Sequence, residues 1–208
     1  METECIIVPE IGRFEWTRKE LRPIGDDEVL LRVEVTGLCR TDLKIIRHGH
    51  RDLVLPRIPG EEVVGRITAR GPQVTGFELD DRVYVYPGVW CGRCPACAQG
   101  AQNLCRDMRI MGFHRDGGFA SEVIAPAQSL IRVPVGLVPD TAVLAEPLSC
   151  CLNALERGCV QPGNRVGIWG AGPAGLLLAR AARAMGATAV NIDPDARRRT
   201  FADGILAC

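Results

Sequence analysis

Four cysteines packed into fifteen residues pose the first chemical question. Cys91, Cys94 and Cys97 follow at intervals of three, and Cys105 comes eight residues later. Four thiolates this close suit a tetrahedral ion that accepts sulfur at about 2.3 Å. The small residues between them let the loop close around a centre. A shell of four sulfurs leaves no open position, so its role would be structural. Zinc and iron both accept such a set. Two disulfides or a chance cluster are the competing readings, and disulfides need an oxidising compartment.

A second pattern concerns phosphates. Gly170-Ala-Gly172-Pro-Ala-Gly175 follows the short apolar run Arg165–Trp169 and precedes an Ala/Leu-rich stretch. A strand, a glycine turn and a helix in that order make a dinucleotide cradle. Gly170 would allow the tight turn, Gly172 the approach of the backbone to a pyrophosphate, and Gly175 close packing of helix on strand. The helix amino terminus would attract the phosphates. Asp193 ends the next strand-like run and could accept hydrogen bonds from ribose hydroxyls. It would repel a 2′-phosphate, which favours NAD over NADP. Arg198, flanked by Arg197 and Arg199, pulls the other way. The plain alternative is a glycine turn that binds nothing.

Three further motifs are weak singly: Gly37-Leu-Cys39-Arg-Thr41-Asp42, Pro59-Gly60-Glu61-Glu62 and Ala145-Glu146-Pro147-Leu148-Ser149. A lone cysteine at a strand end is ordinarily a small buried residue, and a Glu-Glu pair is ordinarily solvated. Together with the cysteine loop and Gly118-Phe119-Ala120-Ser121-Glu122, they resemble the zinc-containing medium-chain alcohol and polyol dehydrogenases, in the sorbitol, threonine and glucose dehydrogenase-like branch. The resemblance covers nearly the whole chain in the family's order. It implies a GroES-like β-barrel catalytic domain followed by a Rossmann domain, and hydride transfer between a secondary alcohol, polyol or sugar hydroxyl and NAD(P). It implies two zinc ions per subunit and, at full length, a homodimer or homotetramer.

Mapped residue by residue, the resemblance makes Cys39, Glu61 and Glu146 the ligands of a catalytic zinc with an open fourth position. It makes Cys91, Cys94, Cys97 and Cys105 those of the structural zinc. Thr41 matches the hydroxyl that passes the substrate proton outward, Asp42 the acid after it, and Glu62 joins Thr41 among the catalytic residues. One departure stands out: Glu61 occupies the place of the family's histidine. Carboxylate oxygen binds zinc at about 2.0–2.2 Å, but three anionic ligands leave a net charge near minus one. That weakens the ion's Lewis acidity, so a different metal, an altered reaction or loss of the metal are the alternatives. Lys44 stands where many relatives carry a proton-relaying histidine. Cys150, four residues beyond Glu146, shares its helix face and could replace a ligand, as could His48 or His50 from a polar loop. A small buried cysteine and solvated histidines are the simpler readings, and Asp195 reads as solvated.

The elements that must hold these residues are readable as coarse units. Glu28–Thr36, Glu62–Ala69, Arg82–Tyr86 and Phe119–Ala125 alternate like strands between Gly and Pro turns. After about Asp140 the pattern changes to a helical run, Ala142 to Arg157, then strand Arg165–Trp169, helix Leu176–Met185 and strand Ala189–Ile192. The expected organisation is α/β plus β-rich: a zinc-binding domain over 1–150, then the first, incomplete part of a Rossmann domain over 151–208. A complete dinucleotide fold needs two such halves, so the chain reads as a fragment or a short product. As a bare remnant it would be a non-catalytic, zinc-stabilised interaction module.

Bulk composition narrows the partners. Lys plus Arg equals Asp plus Glu at 25 each, so no net charge calls for nucleic acid or a membrane. No apolar run approaches the roughly 18 residues of a membrane helix. The amino terminus lacks the basic-then-apolar pattern of a secretion signal. The expected location is cytoplasmic, and the expected partner a small alcohol or polyol.

Overall fold

The computed structural model describes Met1–Leu206. The chain divides into two compact units, Met1–Val143 and Leu144–Cys208.

The first unit runs β1 (Glu2–Ile7), β2 (Glu15–Glu20), β3 (Glu28–Gly37), α1 (Arg40–His48), β4 (Glu62–Arg70), β5 (Arg82–Val85), β6 (Gly88–Val89), α2 (Pro95–Ala98), β7 (Arg109–Ile110), β8 (Glu122–Pro126), β9 (Leu130–Arg132) and α3 (Pro139–Ala142). Its centre is an antiparallel five-stranded sheet in the order β8-β3-β4-β5-β9. Alternation in β3 and β4 turns Val29, Leu31, Val63 and Ile67 inward, where they meet Val83, Val85, Met111 and Val123. Each such buried aliphatic side chain contributes about 1.5–3 kcal/mol. Register shifts at Leu30/Leu31 and Val33/Val35 bend β3 against β4, as bulges do. The hairpin β1–β2 joins this body through the Cys5–Ala120 bridge.

Two ionic clusters tie segments of this unit together. Arg66 and Arg82 both reach Glu34, at 2.9 and 2.5 Å, joining β3, β4 and β5 on the outer face. Asp116 accepts from Lys19 on β2, from Arg57 and from the Ile58 N–H, which fixes the loop before β8.

The second unit holds α4 (Ala145–Arg157), β10 (Arg165–Trp169), α5 (Pro173–Ala184), β11 (Thr188–Ile192) and α6 (Ala196–Leu206). β10 and β11 pair in parallel, with α5 as the crossover, so this is a β-α-β unit. Ala179, Ala182 and Ala189 pack with Ile168 and Leu155. Small side chains there let α5 lie close on the strands. Residue 150, where composition suggested a domain change, falls inside α4.

Several local expectations change. The helical run from Ala142 is two helices, because Val143 and Leu144 separate α3 from α4. His48 is the last residue of α1 and not part of a loop. A helix, α6, follows β11. Among the described residues no helix is long and apolar enough to cross a membrane.

Candidate active site and metal centre

The four-cysteine loop forms a cage. The Sγ atoms of Cys91, Cys94, Cys97 and Cys105 all lie within 4.8 Å of one another. Ligands 2.3 Å from a tetrahedral centre stand about 3.8 Å apart, so the set fits such an ion. Cys94 caps α2, whose Pro95 sits at the first helical position. The left-handed Gly92 (φ 71°) turns the chain between Cys91 and Cys94. The Cys94 and Cys97 sulfurs are 3.5 Å apart and the Cys91 N–H donates to Cys105 Sγ at 3.3 Å. All cysteines described are free, and convergence of four sulfurs on one point favours a metal cage over two separate disulfides. The Cys97 N–H and neighbouring donors bring the Cys94 thiol down to about 6. Burial and adjacent thiols push Cys97 up to about 12.

Cys39 is positioned by a buried carboxylate. It is the N-cap of α1, and its Sγ accepts the Thr41 N–H at 3.4 Å. Asp42, with no solvent exposure, accepts the Cys39 N–H at 2.9 Å through one oxygen and the Gly60 N–H at 3.0 Å through the other. One side chain thereby closes the capping box and ties the end of β3 to the Pro59-Gly60-Glu61 segment. Burial raises the Asp42 pKa, opposed by these two backbone donors.

Gly60 itself is left-handed at φ 100°, and a Cβ there would stand 2.9 Å from the Phe119 N. The close neighbour is the Gly117-Gly118-Phe119 run, whose N–H groups donate to the carbonyls of Ile58, Gly60 and Pro59. The half-buried Glu61 therefore follows a segment pinned from both sides, with Gly112 beside its side chain. Glu62 is buried at the start of β4, opposite Gly37, where any Cβ would collide with its carboxylate.

Glu146 lies in the second unit, in the first turn of α4. Cys150 donates to its Oε1 at 3.4 Å, so the two do share a helix face. Cys150 is exposed, against the buried reading; partial desolvation on the helix, with the Glu146 charge, raises its pKa. His50 sits edge-on to Phe113 and its Nδ1 accepts the Asp52 N–H. Among the described residues, the four cysteines are the one group of three or more Cys, His, Asp or Glu with all ligand atoms within 4.8 Å.

The glycine turn in the second unit has a distinct division of labour. Gly170 is left-handed at φ 118°, and open space surrounds the missing Cβ of Gly170 and of Gly172, the N-cap of α5. At Gly175 a Cβ would collide with the Gly170 carbonyl. Asn191, on β11, donates to the carbonyls of Gly170 and Gly175 at 2.8 and 3.1 Å. Sequence reading missed it, since an asparagine within a short strand carries no periodic signal. Asp193 is buried; its Oδ2 accepts the Ala171 N–H at 2.8 Å and its Oδ1 the Asp195 N–H at 2.9 Å. Those donors, with Arg198 at 3.6 Å, hold its carboxyl below the usual range. Asp193 thus also ties the turn to the end of β11.

Residues 25–135 match the alcohol dehydrogenase GroES-like domain family, and the chain belongs to that family. It is 34% identical over 194 residues to L-galactonate-5-dehydrogenase of Escherichia coli K12, covering 93% of this chain and 57% of that protein. With sorbitol dehydrogenase of Bacillus subtilis the identity is 39% over 168 residues, 79% of this chain and 48% of the relative. A zinc-binding dehydrogenase structure from Sinorhizobium meliloti 1021, crystallised with NADP, superposes with a TM-score of 0.93 at 32% identity, over 99% of this chain and 60% of that one. The chain spans about half the length of the curated relatives it matches.

Proposed function

We propose that the whole protein is a zinc-dependent oxidoreductase that moves a hydride between a secondary alcohol of a polyol or sugar and NAD(P). The observation that carries this reading is the double tie made by Asp42 between the Cys39 and Gly60 backbone N–H groups. It gives a thiolate and the following carboxylate, Glu61, a common rigid support. Relatives named as L-galactonate and sorbitol dehydrogenases support the reaction class.

In this reading Cys39, Glu61 and Glu146 hold the catalytic zinc, and Cys91, Cys94, Cys97 and Cys105 hold the structural one. The four converging thiols fit a structural zinc, and the Cys39, Glu61 and Glu146 set rests on donor type alone, since zinc accepts sulfur and carboxylate oxygen. Zinc held there would supply Lewis acidity, and a dinucleotide held at the glycine turn would supply the hydride chemistry. The chain's own residues do the rest. Thr41, in the first turn of α1 beside Cys39, takes the alcohol proton on its hydroxyl and passes it outward. Glu62, buried against Gly37, fixes the start of β4 and with it Glu61. Gly170, Gly172 and Gly175 receive the pyrophosphate at the amino terminus of α5. Asp193 would accept from the ribose hydroxyls and favour NAD, while its ion-pair partner Arg198 would favour a 2′-phosphate. The working assembly is a homo-oligomer in the cytoplasm.

The test is turnover. Purified zinc-loaded protein should reduce NAD or NADP with at least one member of a polyol and sugar-acid panel, followed by nicotinamide absorbance. Zinc-replete protein that turns over none of them would overturn the reading in favour of a non-catalytic module.

A further inference from the structure

The face of β11 that meets α5 turns polar where it reaches the glycine turn. Thr188, Val190 and Ile192 are exposed, while Ala189, Asn191 and Asp193 point the other way, as strand alternation requires. Ala189 packs among Ala179 and Ala182 of α5. Two residues on, an apolar side chain would suit the same surface, yet the chain places an amide there. A half-buried amide is costly unless its N–H groups find acceptors. Both do, at the carbonyls of Gly170 (2.8 Å) and Gly175 (3.1 Å). The Oδ1 is buried with no hydrogen-bond partner among the described residues. The amide is still held in this orientation, because the reverse one would set Oδ1 against two carbonyl oxygens.

Asn191 and Asp193 grip one peptide plane by its opposite edges. The Gly170 carbonyl and the Ala171 N–H belong to the same planar unit and point in opposite directions. Asn191 donates to the carbonyl, and Asp193 Oδ2 accepts from the N–H at 2.8 Å. Among the described residues no backbone N–H serves the Gly170 carbonyl in place of Asn191. This peptide leads directly into Gly172, the N-cap of α5, so its tilt sets where the first turn aims its N–H groups. Pro173, at the start of the helix, has none to offer. Gly172, Ala174 and Gly175 are left to receive an anion.

We propose that Asn191 is a positioning residue for the dinucleotide: it locks the Gly170–Ala171 peptide so that the turn is already shaped for a pyrophosphate before one arrives. The proposal rests on the dinucleotide part of the dehydrogenase reading and adds to it a residue outside the glycine string. Binding to a turn fixed in advance costs less ordering than binding to one that must be set by the ligand. Gly170 makes that fixing necessary, since a glycine at φ 118° has wide backbone freedom of its own. The gain falls on ligands that reach the turn and not on those that stop short of it.

Isothermal titration of the 208-residue chain with ADP-ribose, which carries a pyrophosphate, and with adenosine, which carries none, tests this. Asn191→Leu keeps similar bulk and removes both donors; Asn191→Ala removes them without crowding and decides alone if the leucine variant loses helix content by circular dichroism. Each folded variant should bind ADP-ribose about tenfold more weakly and adenosine within about twofold of wild type. Exchange of the Ala171 amide hydrogen, followed by NMR without ligand, should quicken in both, since one edge of its peptide is released. Equal weakening of the two ligands would give Asn191 a general structural role and overturn the proposal. Unchanged ADP-ribose affinity in Asn191→Ala would overturn it too, while leaving the dinucleotide cradle standing. A wild-type chain that binds ADP-ribose no more tightly than adenosine would sink the cradle itself, and the proposal with it.

Discussion

Replacing Asp42 with alanine should destabilise the first unit by about 2–4 kcal/mol. The substitution strips the acceptor from two backbone donors, the N–H groups of Cys39 and Gly60. Each buried donor left without a partner costs about 1–3 kcal/mol. Loss of half the capping box adds to this, though the Cys39 N–H is already counted there. The opposing effect is relief from burying a carboxylate, which the upward pKa shift of Asp42 reports. That relief keeps the total in the lower part of the summed range. Against a domain stability of about 5–15 kcal/mol, the loss is readily visible in urea unfolding as a lowered midpoint at unchanged slope. Asp42→Asn retains one acceptor oxygen and should lose roughly half as much. A change below about 0.5 kcal/mol in Asp42→Ala would refute the claim that this side chain holds Cys39 and the Gly60-Glu61 segment together.

Two further outcomes follow from the same geometry. Gly175→Ala drives a methyl into the Gly170 carbonyl, so it should cost about 1–3 kcal/mol and weaken dinucleotide binding in titration; wild-type stability and binding would contradict the packing role. Arg82 first, then Arg66, holds Glu34 below its ordinary value near 4.5. A depressed folded pKa gives stability that is present above the unfolded value and lost as pH falls through the folded one. Glu34→Gln should therefore cost more at pH 7 than at pH 3 in matched urea titrations, and an equal cost at both would contradict the ion-pair account.

The strands were legible where burial imposes alternation. β3 and β4 each have one face in the core, and both were readable to within a residue. β1 and β2 were not: Glu15–Glu20 alternates half-buried with exposed positions, leaving no apolar face to read. α6 was equally hidden, since Ala196–Arg199 offers no apolar stripe. α1 was obscured because its capping residue is a cysteine and its exposed face is basic. The cysteine cage and the glycine turn were legible because metal geometry and tight turns fix residue type at fixed spacing. The ties that position the site were harder to see. Asp42 to Gly60 spans 18 residues and Asn191 to Gly170 spans 21, and no local pattern encodes such partners.

Metal counting tests the central claim most directly. Purified protein loaded with zinc and freed of excess metal should carry about two ions per chain, falling to about one in Cys39→Ser, with the four-cysteine loop still filled. About one ion per chain in the wild type, unchanged by Cys39→Ser, would contradict a second metal centre at Cys39, and with it the proposed chemistry.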